Sequence, residues 1–247
     1  MADSSKQRTA IVTGAAKRIG AVIASALLAD GWRVVAHVRR DGDAVPDGAV
    51  KVVADLADAA CAEVIFRAAE GLPPLRLLVN CAARFAWDDL ASFDALEFDA
   101  HMAVNVRAPL LLTKAFAAGF DGGGDGQIVN ILDAKLAAPN PDYLSYTVSK
   151  QALAGASELA ARALASQGIR VNAIAPSLML RSPGQSEENF AAMHRANPLQ
   201  RGVEPADVVA ALRYLIAAPA VTGQVLTIDG GQRFWSLDRD VQFLEKP

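Results

Sequence analysis

The chain has 247 residues, 52% of them apolar and 21% charged, with 24 basic against 27 acidic side chains for a formal net charge of −3. That is enough apolar material for one large α/β domain, and the charge balance argues against nucleic acid or an anionic membrane surface as a partner. Two cysteines, Cys61 and Cys81, stand in no Cys/His cluster, which argues against a metal site and fits a reducing compartment. The amino-terminal MADSSKQRTA has no signal-peptide core. No apolar run reaches the roughly 18 residues of a membrane span, so a cytoplasmic protein is expected.

The first apolar run, Thr9–Thr13, leads through Gly14, Ala15, Ala16, Lys17, Arg18 and Ile19 into a helical stretch, Gly20–Asp30. A tight strand–turn–helix aims backbone N–H groups and a helix N-terminus at a pyrophosphate. Gly14 supplies the turn, and Gly20 allows close packing of helix on strand. Arg18 is either a surface arginine, slightly unfavourable against the helix dipole, or a contact to an anion, which the sequence favours. The second run, Arg33–Val38, ends His37-Val38-Arg39-Arg40, with Asp41 and Asp43 only beyond it. An acid at this strand end binds the ribose hydroxyls of NAD. Arg39 and Arg40 would instead pair with a 2′-phosphate, so NADP(H) is the expected cofactor. After the third run, Val50–Ala54, Asp55 and Leu56 either meet the adenine edge or, for Asp55, cap a helix.

Further runs lie at Arg76–Asn80, Gln127–Ile131, Ile169–Ile174 and Gln224–Ile228. All are continuously apolar rather than alternating, as in strands buried on both faces of a parallel sheet. Helical stretches such as Lys150–Ser166 lie between most of them, so right-handed βαβ units repeat. One α/β domain over 1–247 follows: a Rossmann fold with a doubly wound parallel sheet of about seven strands. The glycine-rich segment 119–126 reads as a helix-to-strand loop. The segment 176–205 holds four prolines and follows a strand end, where ligands bind, so it is a candidate lid. The tail 232–247 contains Phe234, Trp235 and Phe243, and is expected to pack on a neighbouring subunit or over an active site.

Tyr146 and Lys150 are spaced i, i+4 and share one helix face. A free phenol titrates near 10, and a nearby ammonium, together with the positive nicotinamide, would stabilise the phenolate and lower it toward useful proton exchange. The glycine loop, Asn80, Asn105, Asp133, Tyr146 and Lys150 occur in one order, followed by Asn172-Ala173-Ile174-Ala175-Pro176 and Ile228-Asp229-Gly230-Gly231. On these residues, from about Thr9 to Gly231, the chain resembles the short-chain dehydrogenase/reductase family. The resemblance implies that Tyr146 donates the proton, that Lys150 binds the nicotinamide ribose and tunes Tyr146, and that Asn105 holds a relay water. It also places His37, Asn80, Ala82, Pro176, Ser177 and Leu178 at the cofactor, with Gly14 and Lys17 to Gly20, and implies a homotetramer.

Two positions depart from the family's usual pattern. Asp133 stands where a carbonyl-orienting serine is usual, and Arg18 where glycine is usual. A carboxyl group can protonate a ring nitrogen as hydride reaches the adjoining carbon. Both departures resemble the pteridine reductase branch, and Ala175-Pro176-Ser177-Leu178-Met179-Leu180 resembles its bacterial dihydromonapterin/dihydrofolate reductase members. That likeness implies a pterin lying between nicotinamide and Phe85, touched by Arg18, Asp133 and Tyr146, and reduced to the tetrahydro form. Phe85 could otherwise be a core residue under a loop. Ala83 lacks a hydroxyl that some members carry. The alternatives are a carbonyl reductase acting on a 3-oxoacyl or sugar-like ketone, and a non-catalytic NADP-binding protein.

Overall fold

The structure is a computed structural model that describes residues 7–182, 184–235 and 237–244. Residues 1–6, position 183 of the candidate lid, and positions 236 and 245–247 of the tail lie outside the described residues. Seven strands form one sheet: β1 (Thr9–Thr13), β2 (Arg33–Val38), β3 (Val50–Val53), β4 (Leu75–Asn80), β5 (Gly126–Ile131), β6 (Ile169–Pro176) and β7 (Val225–Ile228). Their order is β3-β2-β1-β4-β5-β6-β7, and every pairing is parallel. The order reverses between β1 and β4, so their carboxyl ends open a crevice.

The helices are α1 (Arg18–Ala29), α2 (Cys61–Arg67), α3 (Ala95–Met102), α4 (Ala108–Gly119), α5 (Leu144–Leu164), α6 (Glu187–His194) and α7 (Pro205–Ala217). They explain why the strands do not alternate in polarity. Ala10 and Val12 of β1 pack with Ile23 and Leu27 of α1 and Val208 and Leu212 of α7. Between them, Ile11 faces the other layer, with Ile65 of α2 and Leu112 and Phe116 of α4. Each of these side chains is fully or almost fully buried, and burial of one such group contributes roughly 1.5–3 kcal/mol.

Most strand ends fall within a residue or two of the expected ones. The helix expected to carry Tyr146 and Lys150 on one face is α5; it begins at Leu144, ahead of the helical stretch read from Lys150, and holds Tyr146 in its first turn. Its start is fixed from afar. The Asp88 carboxylate accepts the Ser145 backbone N–H at 3.0 Å, across 57 positions, and also takes the Ser145 hydroxyl. No local capping residue announces this. The segment 176–205 is not an open excursion either: it contains α6, whose Ser186 side chain accepts the Asn189 N–H at 3.0 Å.

Candidate active site

At the β1–α1 turn the chain is packed backbone on backbone. Gly14 has φ +70°, and a Cβ there would lie 2.9 Å from the Ala82 Cα, while one at Gly20 would lie 2.2 Å from the Gly14 carbonyl oxygen. The turn is closed from two sides. Thr13 Oγ1 accepts the N–H groups of Cys81 and Ala82 at 3.0 and 3.1 Å. His37 Nδ1 accepts the Gly14 N–H at 3.2 Å, so Nε2 carries the proton and donates to the Ala54 carbonyl at 3.0 Å. Burial lowers the His37 pKa and keeps this imidazole neutral. His37 therefore braces the turn as well as lining the crevice.

Beyond β2, Arg39 and Arg40 are exposed; the Arg40 backbone N–H donates to Asp43 Oδ2 at 3.1 Å, and neither guanidinium forms an ion pair among the described residues. Asp55 Oδ1 accepts the Ala57 N–H at 2.9 Å, a local turn rather than a helix cap, since α2 starts only at Cys61. Arg18 has φ +53°, the left-handed region that favours glycine and costs other residues about 1–2 kcal/mol. This explains why glycine is the usual occupant. Its guanidinium donates to the carbonyls of Arg181 and Leu180 at 3.0 and 3.3 Å, tying the turn to the segment after β6. Glycines that cannot accept a Cβ, free arginines at the β2 tip and no acid in the place of an NAD-binding carboxylate together fit a phosphorylated dinucleotide.

Across the crevice, the Tyr146 hydroxyl donates to Asp133 Oδ2 at 3.0 Å, and Asp133 Oδ1 accepts the Lys135 N–H at 2.9 Å. Lys150 Nζ donates to the Ile131 carbonyl at 2.7 Å and lies 5.7 Å from the centroid of the Tyr146 ring. Burial raises the Asp133 pKa, and its bonds from Lys135 and Tyr146 oppose that only in part. Burial lowers Lys150 to about 8. In the protein without its cofactor, burial first, and then the Asp133 carboxyl beside it, push the Tyr146 phenol well above its ordinary value; the lowering expected from Lys150 together with the positive nicotinamide belongs to the cofactor-bound state.

One cavity of about 650 Å³ gathers nearly every expected site residue: Gly14, Lys17, Arg18, Ile19, Gly20, His37, Arg39, Arg40, Asp55, Leu56, Ala82, Phe85, Asp133, Tyr146, Lys150, Pro176, Ser177 and Leu178. Asn80 and Asn105 are not on its surface. Asn80 is buried and donates to Asn130 Oδ1 at 2.8 Å, joining β4 to β5. Asn105 sits in a π-helical turn, Ala103–Arg107, an irregularity common at functional sites. Its side chain accepts the Arg84 N–H at 2.7 Å and donates to the Arg84 carbonyl and Ser149 Oγ at 3.0 and 2.8 Å. With those bonds made, its amide braces the loop after β4 against α5 and does not face the cavity.

Phe85 is no core residue. It is 42% exposed, stacked on Tyr143 at 4.3 Å and 16°, and edge-on to Tyr146 at 4.7 Å and 89°. Tyr143, Lys135, Asn140 and Asp240 also line the cavity and were not expected there from sequence. Asp240 lies 107 positions from Asp133 in the chain, and no local spacing signals it; a Tyr three residues before Tyr146 was the one signal available.

A doubly wound sheet, a glycine turn, and a buried Tyr–Lys pair beside a carboxyl define an oxidoreductase of the dinucleotide-binding kind. Residues 14–233 match the family described as enoyl-(acyl carrier protein) reductase, and the chain belongs to the short-chain dehydrogenase/reductase family. It is similar to the FolM alternative dihydrofolate reductase 1 of Brucella suis, solved in complex with NADP: 34% identity, TM-score 0.85, 92% of this chain and 95% of that one. It is 31% identical to pteridine reductase 1 of Leishmania tarentolae, over 94% of this chain and 98% of the relative. It is 32% identical to the L-tagatose-forming galactitol 2-dehydrogenase of Cereibacter sphaeroides, over 92% and 95%.

Proposed function

We propose that this reductase uses NADPH to reduce the C=N bond of a dihydropterin, of the dihydromonapterin or dihydrobiopterin kind or dihydrofolate, to its tetrahydro form. The observation that carries this is the partly buried Asp133 carboxyl, bonded to the Tyr146 hydroxyl at 3.0 Å where the family usually has serine. The names of the Brucella and Leishmania relatives agree with it.

When bound, NADPH supplies the hydride. Arg39 and Arg40 would hold its 2′-phosphate, and the turn from Gly14 to Gly20 its pyrophosphate. Asp55 and Leu56 would hold its adenine end. Ala82, Lys150 and Pro176 to Leu178 would hold its nicotinamide end. On the substrate side, Phe85 presents a ring face to the pterin, and Arg18 reaches both ligands. Burial favours the neutral form of Asp133, which donates a hydrogen bond rather than repelling the substrate's nitrogen. As the carbon takes the hydride, the nitrogen takes the proton from Asp133 or Tyr146, and solvent restores it. The balance is one hydride to carbon and one proton to nitrogen. Asn80 and Asn105 act from behind the wall, by holding β4 and α5. The assembly expected with this reading is a homotetramer in the cytoplasm.

Asp133→Ser tests the reading. Dihydropterin turnover should fall roughly 10²–10⁴-fold, the range for losing a general acid. With the wild type, activity should be present at low pH and fall as pH rises through the raised Asp133 pKa, because only the protonated acid donates. The galactitol dehydrogenase likeness favours a second reading, a ketone reductase. On that reading Asp133→Ser keeps or gains activity, because a carboxylate opposes a developing oxyanion.

A further inference from the structure

The segment 237–244 folds back on the active site of its own chain. Phe243 stacks on Tyr143 at 6.2 Å and 22°, Tyr143 on Phe85 at 4.3 Å and 16°, and Phe85 meets Tyr146 edge-on at 4.7 Å. An unbroken column of rings thus runs from the reacting phenol to the C-terminal segment. Trp87 meets the far end of the column, edge-on to Phe243 at 6.4 Å.

The column is held by a clamp whose carboxylate is buried and whose arginine is half-exposed. The Asp142 side chain is only 3% exposed, and its carboxylate accepts the Arg239 guanidinium through two bonds of 2.8 Å. The same carboxylate takes the Asp240 N–H at 2.8 Å. The Tyr143 hydroxyl donates to Gln242 Oε1 at 2.6 Å, and Asn189 of α6 donates to the Leu244 carbonyl at 2.6 Å. Tyr143 itself stands at φ +56°, a conformation a bulky residue keeps only where its surroundings over-determine it.

Phe85 lies in a loop without regular structure and is 42% exposed. A phenylalanine on such a loop would ordinarily sample several rotamers, and each bound substrate would have to immobilise it. Here Tyr143 covers one face of the ring and Phe243 backs Tyr143, so Phe85 is held where it lines the cavity. We infer that the segment 237–244 is a substrate-positioning element: Phe243, through Tyr143, sets the plane of Phe85, and the Asp142–Arg239 pair keeps the column closed. The identity of the stacked ligand rests on the dihydropterin reading; the column does not. Phe243 and Arg239 touch no reacting atom in this account and act through Phe85.

The test uses full-length Phe243→Ala, Phe243→Tyr and Arg239→Met. Phe243→Ala and Arg239→Met should raise the KM for dihydropterin roughly three- to tenfold, the range of one aromatic contact. Values of kcat and of the KM for NADPH should stay within about twofold, as for a lost ground-state contact remote from the hydride donor. Phe243→Tyr should restore the wild-type KM. Hydrogen exchange across 237–244, read by mass spectrometry, should quicken in Phe243→Ala and Arg239→Met with or without turnover. Quickened exchange with an unchanged substrate KM overturns the inference, and so does unchanged exchange in both variants. If the wild type turns over a ketone but no dihydropterin, the substrate reading fails by itself. A KM shift for that ketone in the same variants then supports the positioning role, and no shift overturns it.

Discussion

The two ends of the cavity are built in different ways. The cofactor end is local and largely backbone: one strand, one turn and one helix, with Gly14 and Gly20 packed too tightly to accept a side chain and Thr13 and His37 bracing the turn. The substrate end is assembled from side chains far apart in the chain. Phe85, Tyr146 and Asp133 meet there, and Tyr143 joins Phe85 to Gln242 and Phe243 of the C-terminal segment. A backbone cradle binds what all members of a fold share, whereas scattered side chains decide what each member reduces.

That contrast can be broken most severely at the phenol. Tyr146→Phe should lower kcat roughly 10²–10⁴-fold while NADPH binding, measured by fluorescence titration, stays within about twofold of wild type. A large loss of NADPH affinity would mean that the two ends are not separable. Lys150 gives the next effect. Burial holds its ammonium at about 8, and an unfolded lysine titrates near 10.4. Between those values the unfolded chain keeps a proton that the native chain has released, so native stability rises with pH across that window, by up to about 3 kcal/mol. Denaturant melts of the ligand-free wild type and Lys150→Met from pH 8 to 10 should differ in slope in that direction. Equal slopes would remove the buried ammonium from the account. At the other end, Arg39→Ala combined with Arg40→Ala should raise the KM for NADPH roughly tenfold or more, as for lost charge-assisted bonds. NADH should be affected little, and equal losses for both cofactors would refute the 2′-phosphate contact.

The same contrast governs what could be read from the sequence. The seven strands and the turn were legible because their signals are contiguous: apolar runs with no alternation, and glycines at fixed spacing after the first of them. Tyr146, Lys150 and Asp133 were legible through their order and their departures from a family pattern. The start of α5 was not, because its cap is Asp88, brought from 57 positions away. Arg18 was read as a ligand contact, but the sequence did not show that its backbone is left-handed or that it grips Leu180 and Arg181. Asn80 and Asn105 stand at motif positions, yet hydrogen bonding turns both inward. The Asp142 clamp depends on a chain reversal that brings Arg239 across 97 positions, and no local pattern encodes that.

The proposed selection of a protonatable nitrogen by a carboxyl in the place of a serine is tested most directly by following NADPH oxidation by the wild-type protein with dihydromonapterin, dihydrobiopterin, dihydrofolate and a set of simple, sugar-like and 3-oxoacyl ketones. Turnover of at least one dihydropterin, with kcat/KM well above that of every ketone, is the result expected. Turnover of a ketone with none of any dihydropterin would contradict it.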